Sequence, residues 1–263
     1  MIRARDLLNL SPSPDLVLFK FRNINKNLID SLVNSYLYFA PPSKLNDPFD
    51  CQVDLDVSLD NAILKCENEK EVPFLMHLKK GDKIKKVRGD IGICSFSRSD
   101  GVLENSLMWS HYADSHKGVC FSYKIPEKWF IEKSFFVPLA LEVKYGKNLL
   151  SSWLIKNAKN QLDRQAFNND ECRLTLKECL LVKSLTVKDE CWSYEKEFRA
   201  ISRAVGPQKI DRSFLTQICF GLNTSESDIK LIRNICLKFG YAATFLQVKR
   251  NADDFGLITV EML

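Results

Sequence analysis

The sequence lacks the features that mark membrane, secreted and zinc-binding proteins. No run of apolar residues approaches the roughly 18 that a membrane-spanning helix needs. The opening segment MIRARDLLNLSPSPD has arginines but no apolar stretch typical of a signal peptide. The nine cysteines stand singly, without a CxxC pair, and there are only three histidines. We therefore expect a cytoplasmic protein with reduced thiols, no metal and no membrane contact.

Glycine-rich phosphate loops are missing as well. Neither G-x-G-x-x-G nor G-x-x-x-x-G-K-[ST] occurs, and strands do not alternate regularly with helices, which argues against Rossmann and P-loop enzymes. What the chain does have is ordinary globular composition, with 45% hydrophobic and 27% charged residues. The formal net charge of +5 permits a phosphate-rich partner without demanding one.

Residue periodicity predicts an α+β fold with helices inserted between strands. Strands are expected at 16–22, 91–97, 118–125, 139–145, 191–202 and 215–222, at the start of 36–50, and in TFLQVKR and GLITVEM, with helical regions at 25–35, 58–90, 149–184 and 225–239. We interpret 1–263 as a single domain. Its predicted parts are a leader at 1–15, a motif-bearing core at 16–202, and a C-terminal strand–helix–strand unit at 203–263 that completes the sheet.

The segment WSYEKEFR (192–199) carries the most informative pattern. As a strand it places Glu195, Glu197 and Arg199 on one face and aromatic residues on the other. The two carboxylates would then lie about 6.5–7 Å apart, which is two strand rises. Such neighbours disfavour each other's ionisation, so that one of them has a raised pKa unless Arg199 offsets the effect. A solvated strand face with Glu–Arg pairs is the alternative.

Two shorter patterns suggest ligand contacts on other strands. Ser95 and Ser97 share one face of a predicted strand, and Arg22 ends the first strand beside Lys20. An arginine fork suits a bidentate phosphate or ribose contact, although surface solvation is the default for a lone arginine.

The run MWSHYADSHKG (108–118) concentrates polar and aromatic side chains. Trp109, His111, Tyr112, His116 and Lys117 fall within it, a mixture typical of a site. The i,i+5 spacing of its histidines does not match the i,i+4 pair of a helical zinc site. A capped helix with Trp109 and Tyr112 in the core is the alternative.

The run LNDPFD (45–50) predicts a rigid turn. Asn46 and Asp47 precede a proline, and Asp50 could line a cleft. A purely structural turn is the alternative here.

The segments FKFRNIN, LYFAPPSKLNDPFD, CSFS, LMWSHYADSHKGVC and WSYEKEFR, in that order, resemble the bacterial DUF2971 family over about residues 18–202. An arginine on the first core strand, Ser-x-Ser on a middle strand and Glu-x-Glu on a late strand are also similar to the R–S–E arrangement of ADP-ribosyltransferases. That second resemblance implies a split β-sandwich that binds NAD without a Rossmann loop and without a metal.

The ADP-ribosyltransferase resemblance also implies which residues contact NAD. Arg22 would bind its phosphate or ribose, and Ser95 and Ser97 would shape the nicotinamide pocket. Tyr112 or Trp109 would stack on nicotinamide. The further candidates of this kind are His111 as a cofactor contact and, as cleft residues, Lys20, Asn46, Asp47, Asp50, His116, Lys117 and Arg199.

The same resemblance assigns the chemistry to the glutamates. Glu197 would stabilise the positive charge that develops on ribose when the bond to nicotinamide breaks. Glu195 would orient or deprotonate the acceptor, a contribution of about 10²–10⁴-fold for a general base.

The leading hypothesis is therefore an NAD-dependent ADP-ribosyltransferase or NAD glycohydrolase. A toxin or phage-defence role, with a protein or nucleic-acid acceptor and a cognate antitoxin as partners, follows from the resemblance alone. One alternative is a metal-dependent nuclease that uses Asp47, Asp50, Glu195 and Glu197 with the lysines of 79–86. Another is a non-enzymatic module that binds a nucleotide or a partner protein. The NAD hypothesis requires the arginine, serine, tyrosine and glutamate candidates to line one cleft.

Overall fold

A large, mostly antiparallel β-sheet organises the computed structural model, which describes residues 17–79, 90–98, 101–132, 140–160 and 176–262. The twelve strands among these residues are β1 (Val17–Arg22), β2 (Tyr36–Phe39), β3 (Gly92–Ser97), β4 (Val119–Lys124), β5 (Leu141–Glu142), β6 (Lys144–Tyr145), β7 (Val187–Lys188), β8 (Glu197–Ser202), β9 (Gly206–Lys209), β10 (Leu215–Phe220), β11 (Thr244–Arg250) and β12 (Leu257–Glu261). The eight α-helices in the same part of the chain are α1 (Lys26–Asn34), α2 (Leu55–Leu64), α3 (Val72–Lys79), α4 (Ser106–Tyr112), α5 (Glu127–Glu132), α6 (Leu149–Asn160), α7 (Leu176–Ser184) and α8 (Glu226–Phe239). This mixed content is compatible with the predicted α+β class, whereas a split β-sandwich of ADP-ribosyltransferase type stays a prediction.

The strand order brings the predicted motif strands together. Eight strands form one sheet in the order β12-β11-β10-β4-β1-β3-β8-β5, while β2 pairs with β9 and β6 with β7. Among the described strands of the large sheet, each neighbouring pair is antiparallel except β10 and β11. As a result β1, β3 and β8 lie side by side, although they are far apart in sequence. These strands carry Arg22, the Ser95–Ser97 motif and Glu197.

The sheet opens between β1 and β3. Their registered pairing consists of Phe19 with Ser97, whereas β1 pairs with β4 along its whole length. Toward its N-terminal end β3 bonds instead to Ala40, just after β2, with N–O distances of 2.8 and 2.9 Å between Ala40 and Ile93. The separation of β1 from β3 creates the space in which the candidate site lies.

Apolar side chains cover both faces of the sheet. On one face Leu18 and Phe121 pack against α1 and α8. On the other face Phe21 packs with Trp109 of α4. A separate apolar cluster joins α2, α3, α6 and α7 to Ile201 and its neighbours. The charged residues of β8 lie on the same sheet face as Phe21, because strand side chains alternate.

Two predicted helices are confirmed, and a side chain caps the first turn of each. In α1 the side chain of Asn25 accepts a hydrogen bond from the backbone N–H of Leu28 at 3.0 Å. In α8 the Ser225 side chain caps the first turn, and Gly240 ends the helix with a φ of 70°.

The prediction of one strand over 191–202 is wrong in its first half. Glu190–Glu195 form a 3₁₀ helix whose N-terminus is capped by Asp189. Lys196 then adopts a left-handed conformation with a φ of 46°, and the strand begins only at Glu197. Aromatic residues alternate in this helix as they would in a strand, so periodicity alone could not separate the two structures.

Other predicted boundaries also change. The strand over 139–145 divides into β5 and β6, which belong to different sheets. The helical regions 58–90 and 149–184 each contain two helices, α2 with α3 and α6 with α7. Residues 80–89, with most of the basic run, and 161–175 lie outside the described residues.

The prediction for the C-terminal end of the chain can be compared with the structure, whereas the prediction for the N-terminal end cannot. The predicted leader at 1–15 lies outside the described residues. The C-terminal unit predicted at 203–263 contributes β10, β11 and β12 to one edge of the large sheet. Of the helices in the described parts of the chain, none combines the length and the apolar character required to cross a bilayer.

Gly118, just before β4, lies so close to the backbone at the end of β1 that a larger residue would collide with it. A Cβ at this position would lie 2.3 Å from the carbonyl oxygen of Arg22 and 2.9 Å from the backbone of Ala113. We expect Gly118→Ala to lower the free energy of unfolding by about 1–3 kcal/mol, measured by urea denaturation. Gly256→Ala, where no atom lies within 4 Å of the added Cβ, is the control and should stay within about 0.5 kcal/mol of the wild type. Equal losses in both variants would contradict this packing.

Candidate functional site

An outer cleft lies at the opening between β1 and β3. It has a volume of about 830 Å³ and contains basic, amide and tyrosine side chains. These polar and aromatic lining residues are Lys20, Arg22, Lys44, His111, Asn23, Asn25, Asn27, Asn46, Tyr36, Tyr38 and Tyr112. No carboxylate of the described residues lines this cleft. Its chemistry therefore suits an anionic ligand with groups that accept hydrogen bonds.

An inner recess adjoins the outer cleft. The two share Lys20, Phe21, Ser95 and Tyr112, among others. The recess has a volume of about 120 Å³, close to the roughly 150 Å³ of a cavity that accommodates benzene. Its remaining lining is apolar or charged except for one hydroxyl and consists of Phe19, Phe96, Met108, Ser97, Asp50, Lys188, Glu195 and Glu197.

Arg199 forms the centre of a buried charge network behind the recess. Its side chain is 0% exposed, and its Nε and Nη2 donate to the two carboxylate oxygens of Glu197 at 2.6 and 2.8 Å. Nη2 also donates to Asp50 at 2.5 Å, and Nη1 donates to the carbonyl oxygen of Leu185 at 2.8 Å and to Cys51 Sγ at 3.0 Å. The guanidinium thus binds β8 to two other segments of the chain.

Lys188 supplies a second buried cation to this network. Its Nζ lies 2.7 Å from Glu195, 3.3 Å from Glu197 and 3.5 Å from Asp50. Together these residues comprise three carboxyl groups and two cations, Lys188 and Arg199. The charged network therefore has one more acidic than basic group.

The two glutamates converge through a turn and not through the predicted i,i+2 strand geometry. The left-handed Lys196 reverses the chain between the end of the 3₁₀ helix and the start of β8. Both carboxylates then contact the same ammonium group of Lys188. The expected pair of neighbouring carboxylates exists, but its cause is the backbone conformation at residue 196.

Burial and neighbouring charges give the two glutamates opposite behaviour. Burial alone would raise the pKa of Glu197, but the charges of Arg199 and Lys188 and a hydrogen bond from Ser95 lower this pKa to about 2. For Glu195 burial prevails, so its pKa is raised despite the charge of Lys188 and hydrogen bonds from Lys188 and Tyr112. Glu197 is therefore a permanent anion, and Glu195 is the carboxylate of this pair that binds a proton more readily.

Tyr112 connects the recess to the outer cleft. Its hydroxyl donates to Glu195 Oε1 and accepts from Asn46 Nδ2 at 3.1 Å. The exposed His111 ring lies 6.3 Å from the Tyr112 ring and 6.0 Å from that of Tyr194. Burial, reinforced by Glu195, raises the pKa of Tyr112, so this phenol remains a neutral donor.

Trp109 lies in the core and not in the site. It is 0% exposed, its Nε1 donates to the carbonyl oxygen of Leu103 at 2.7 Å, and it packs edge to face against Phe21. Of the two predicted stacking residues, Tyr112 lines the recess and Trp109 lines neither space.

Four other candidates line neither the cleft nor the recess, and one of them, Arg199, lies behind the recess in the charge network. Asp47 accepts a hydrogen bond from the backbone N–H of Phe49 at 2.9 Å and lines a different cavity. His116 forms a hydrogen bond of 3.1 Å with Ser110, and Lys117 is exposed in the same turn. The remaining site candidates, Arg22, Ser95, Ser97, Glu195 and Glu197 with Lys20, Asn46, Asp50, His111 and Tyr112, line the cleft or the recess.

Sequence reasoning missed Lys188 and Tyr145. Lys188 ends β7, and the Tyr145 hydroxyl accepts a hydrogen bond from the backbone N–H of Glu197 at 2.8 Å. Neither residue belongs to a recognisable motif. The signal that was available is the apolar character of the run CLLVKSLTVK, which is typical of a buried segment.

The nuclease hypothesis gains little from these contacts. Asp50, Glu195 and Glu197 are occupied by two protein cations, and Asp47 faces a different cavity. Within the described ranges, no group of three or more His, Cys, Asp or Glu side chains is arranged to hold a metal ion.

Comparison with known proteins links the site to a family. Residues 108–200 match the family model described as a protein of unknown function, DUF2971. This match supports the DUF2971 assignment. The matched segment begins in α4 and ends in β8, so it includes Tyr112, Lys188, Glu195, Glu197 and Arg199. Comparisons with curated proteins and with solved structures gave no match.

Arg199 provides the direct test of the charge network. Removal of its guanidinium by Arg199→Met takes the shorter ion pairs away from buried Asp50 and Glu197 and leaves them only the more distant Lys188 as a cation. We expect a loss of about 3–5 kcal/mol in the free energy of unfolding, measured by urea denaturation.

Arg203→Met is the matched control for Arg199→Met. Arg203 pairs with Glu178 near the surface, where its side chain is 45% exposed. Loss of a surface ion pair of this kind costs about 0–1 kcal/mol. Similar losses in the two variants would show that the buried network contributes no more than a surface pair.

Proposed function

We propose that this protein binds oxidised NAD and cleaves its bond to nicotinamide, with transfer of ADP-ribose to water or to another acceptor. The observation that carries this proposal is the separation of charge between two adjoining spaces. The outer cleft is lined by Lys20, Arg22 and Lys44 without a carboxylate from the described residues. The inner recess is lined by Asp50 and two glutamates, together with Lys188 and with Lys20, which both spaces share.

Oxidised NAD has a matching separation of charge. Its pyrophosphate is negative, and Arg22 and Lys44 offer the guanidinium and ammonium donors that such groups bind. Its nicotinamide ring is positive, flat and aromatic. The recess is lined by Phe19, Phe21 and Phe96 together with carboxylates, and both aromatic ring faces and carboxylates stabilise a cationic ring.

The glutamates suit the charges of the cleavage step. Departure of neutral nicotinamide takes the bonding electron pair and leaves positive charge on the ribose. Glu197, held ionised by Arg199 and Lys188, is a fixed anion in a water-poor setting, where such charge is stabilised most effectively. Glu195, whose pKa is raised by burial, is suited to accept the proton of an attacking hydroxyl or water.

The close pairing of Glu197 with Arg199 favours one other function, binding without turnover. The negative charge of a carboxylate that is already paired with a guanidinium is partly neutralised, so it stabilises positive charge on a substrate less strongly. In that case the same cleft would recognise a dinucleotide as a signal. A toxin or phage-defence role is part of the enzymatic proposal, in which consumption of NAD or modification of an acceptor would supply the harmful effect.

The proposal is tested by chromatographic measurement of nicotinamide released from oxidised NAD. We expect release by the wild type and a loss of about 10²–10³-fold in kcat for Glu197→Gln, because an interaction specific to the transition state is removed. Thermal unfolding of the same variant shows whether the loss has a structural cause.

Arg22 gives a second variant outside the buried network. Arg22→Met should raise KM for NAD with little change in kcat, since the outer cleft contributes binding that is uniform along the reaction. Arg250→Met is the control, because Arg250 also ends a strand but is exposed and lines neither space. Binding of NAD without release of nicotinamide would favour the binding module. Absence of both, or nucleic-acid cleavage abolished by a chelator, would overturn the proposal.

A further inference from the structure

We propose that Lys188 is a positioning residue whose buried ammonium group orients the carboxylates of Glu195 and Glu197 toward the inner recess. This inference rests on the proposed function, because it names the group that prepares those two carboxylates for the reaction. Lys188 is not part of any motif that the sequence analysis singled out.

The backbone fixes Lys188 through the short parallel pair β6–β7. In this pair Tyr145 is the register partner of Lys188. The carbonyl oxygen of Lys188 accepts from the backbone N–H of Gly146 at 3.0 Å. Since the Tyr145 hydroxyl bonds the backbone of Glu197, one ladder holds both the lysine and the start of β8.

The ammonium group is surrounded by groups that complement its charge. A lysine has three N–H donors, and three carboxylates lie within 3.5 Å of this Nζ. The shortest distance, 2.7 Å, is to Glu195. The Trp192 ring lies 4.9 Å from Nζ and supplies a further cation–π contact.

The two glutamates depend on Lys188 to different degrees. Glu197 retains two hydrogen bonds from Arg199 when Lys188 is removed. Glu195 would retain the neutral Tyr112 hydroxyl as its hydrogen-bond donor. Among its other titratable neighbours, Glu197 on β8 disfavours its ionisation, whereas Tyr194 on the 3₁₀ helix and Tyr145 on β6 are neutral where a carboxyl titrates. Removal of the lysine should therefore act mainly on Glu195.

The sign of the effect follows from these neighbours. The charge of Lys188 and its hydrogen bond each lower the pKa of Glu195, although burial keeps that pKa above its ordinary value. Loss of the ammonium group moves the pKa of Glu195 further upward. If Glu195 accepts a proton in the reaction, activity then falls at a higher pH on the acidic side.

The test compares Lys188→Met, Lys188→Arg and Lys183→Met. Lys183 is also buried, but its charged neighbours are Lys144 and Glu142 and not the recess glutamates, so it is the matched control. The readouts are the pH profile of nicotinamide release and the pH titration of the glutamate carboxyls by carbon-13 NMR, with Glu195→Gln used for assignment.

We expect Lys188→Met to lose at least about tenfold in kcat on the acidic side of the profile, with little change in KM for NAD. The Glu195 carboxyl should titrate at higher pH. Lys188→Arg should restore the wild-type acidic limb, and Lys183→Met should leave it unchanged. If Lys188→Met does not fold, the test depends on Lys188→Arg. Because its cation is displaced, this variant should have a lower kcat on the pH-independent plateau of the profile, while the acidic limb stays at the same pH as in the wild type.

Two results would overturn this inference. One is a Glu195 titration that is the same in the wild type and in Lys188→Met. The other, in the case that Lys188→Met does not fold, is a plateau kcat in Lys188→Arg equal to that of the wild type. The wild type could release no nicotinamide while the titration of Glu195 still depends on Lys188. That result would overturn the proposed function and retain Lys188 as the residue that orients the carboxylates of Glu195 and Glu197.

Discussion

Burial of a guanidinium is the constraint on which the rest of this structure depends. Arg199 is fully removed from water, and an unpaired charge in such a place would be very costly. Glu197 lies two residues away on the same strand and supplies one partner, while Asp50 supplies the other from a distant segment. The connection of the LNDPFD turn to the large sheet is therefore an electrostatic requirement as much as a packing one.

The same requirement shapes the inner recess. Lys188 joins the network from β7, and the turn at Lys196 brings Glu195 back beside Glu197. The acidic groups thus line the recess, together with Lys20 and Lys188, whereas the adjoining cleft is lined by basic groups and by no carboxylate of the described residues. The opening of the sheet between β1 and β3 gives a ligand access to both spaces. A ligand with separated positive and negative groups fits this arrangement better than a uniformly charged one.

Sequence reasoning reached the elements with strong periodicity and the residues that lie on them. Helices α1 and α8 have apolar stripes and capping side chains, and β1 and β3 are short runs rich in apolar residues that are typical of strands. Arg22, Ser95 and Glu197 were therefore placed on strands that prove to be adjacent. Periodicity does not predict that these strands are adjacent, because their pairing joins segments that are far apart in sequence.

The remaining features depend on contacts that a sequence does not display. Whether the segment around Trp192 is a strand or a 3₁₀ helix is decided by the cap at Asp189 and the left-handed Lys196. The burial of Trp109 follows from its packing against Phe21. In the sequence Lys188 cannot be distinguished from a surface lysine, and its role is visible only in the structure, where three carboxylates contact it.

Under the proposed function, the acidic recess receives a positively charged ring while the basic cleft receives phosphate. Isothermal titration calorimetry of oxidised against reduced NAD tests it most directly, because the two ligands share the pyrophosphate and differ in the charge of the nicotinamide ring. The account predicts at least about tenfold tighter binding of the oxidised form, which corresponds to about 1.4 kcal/mol. Equal affinity for the two forms, or tighter binding of the reduced form, would contradict it.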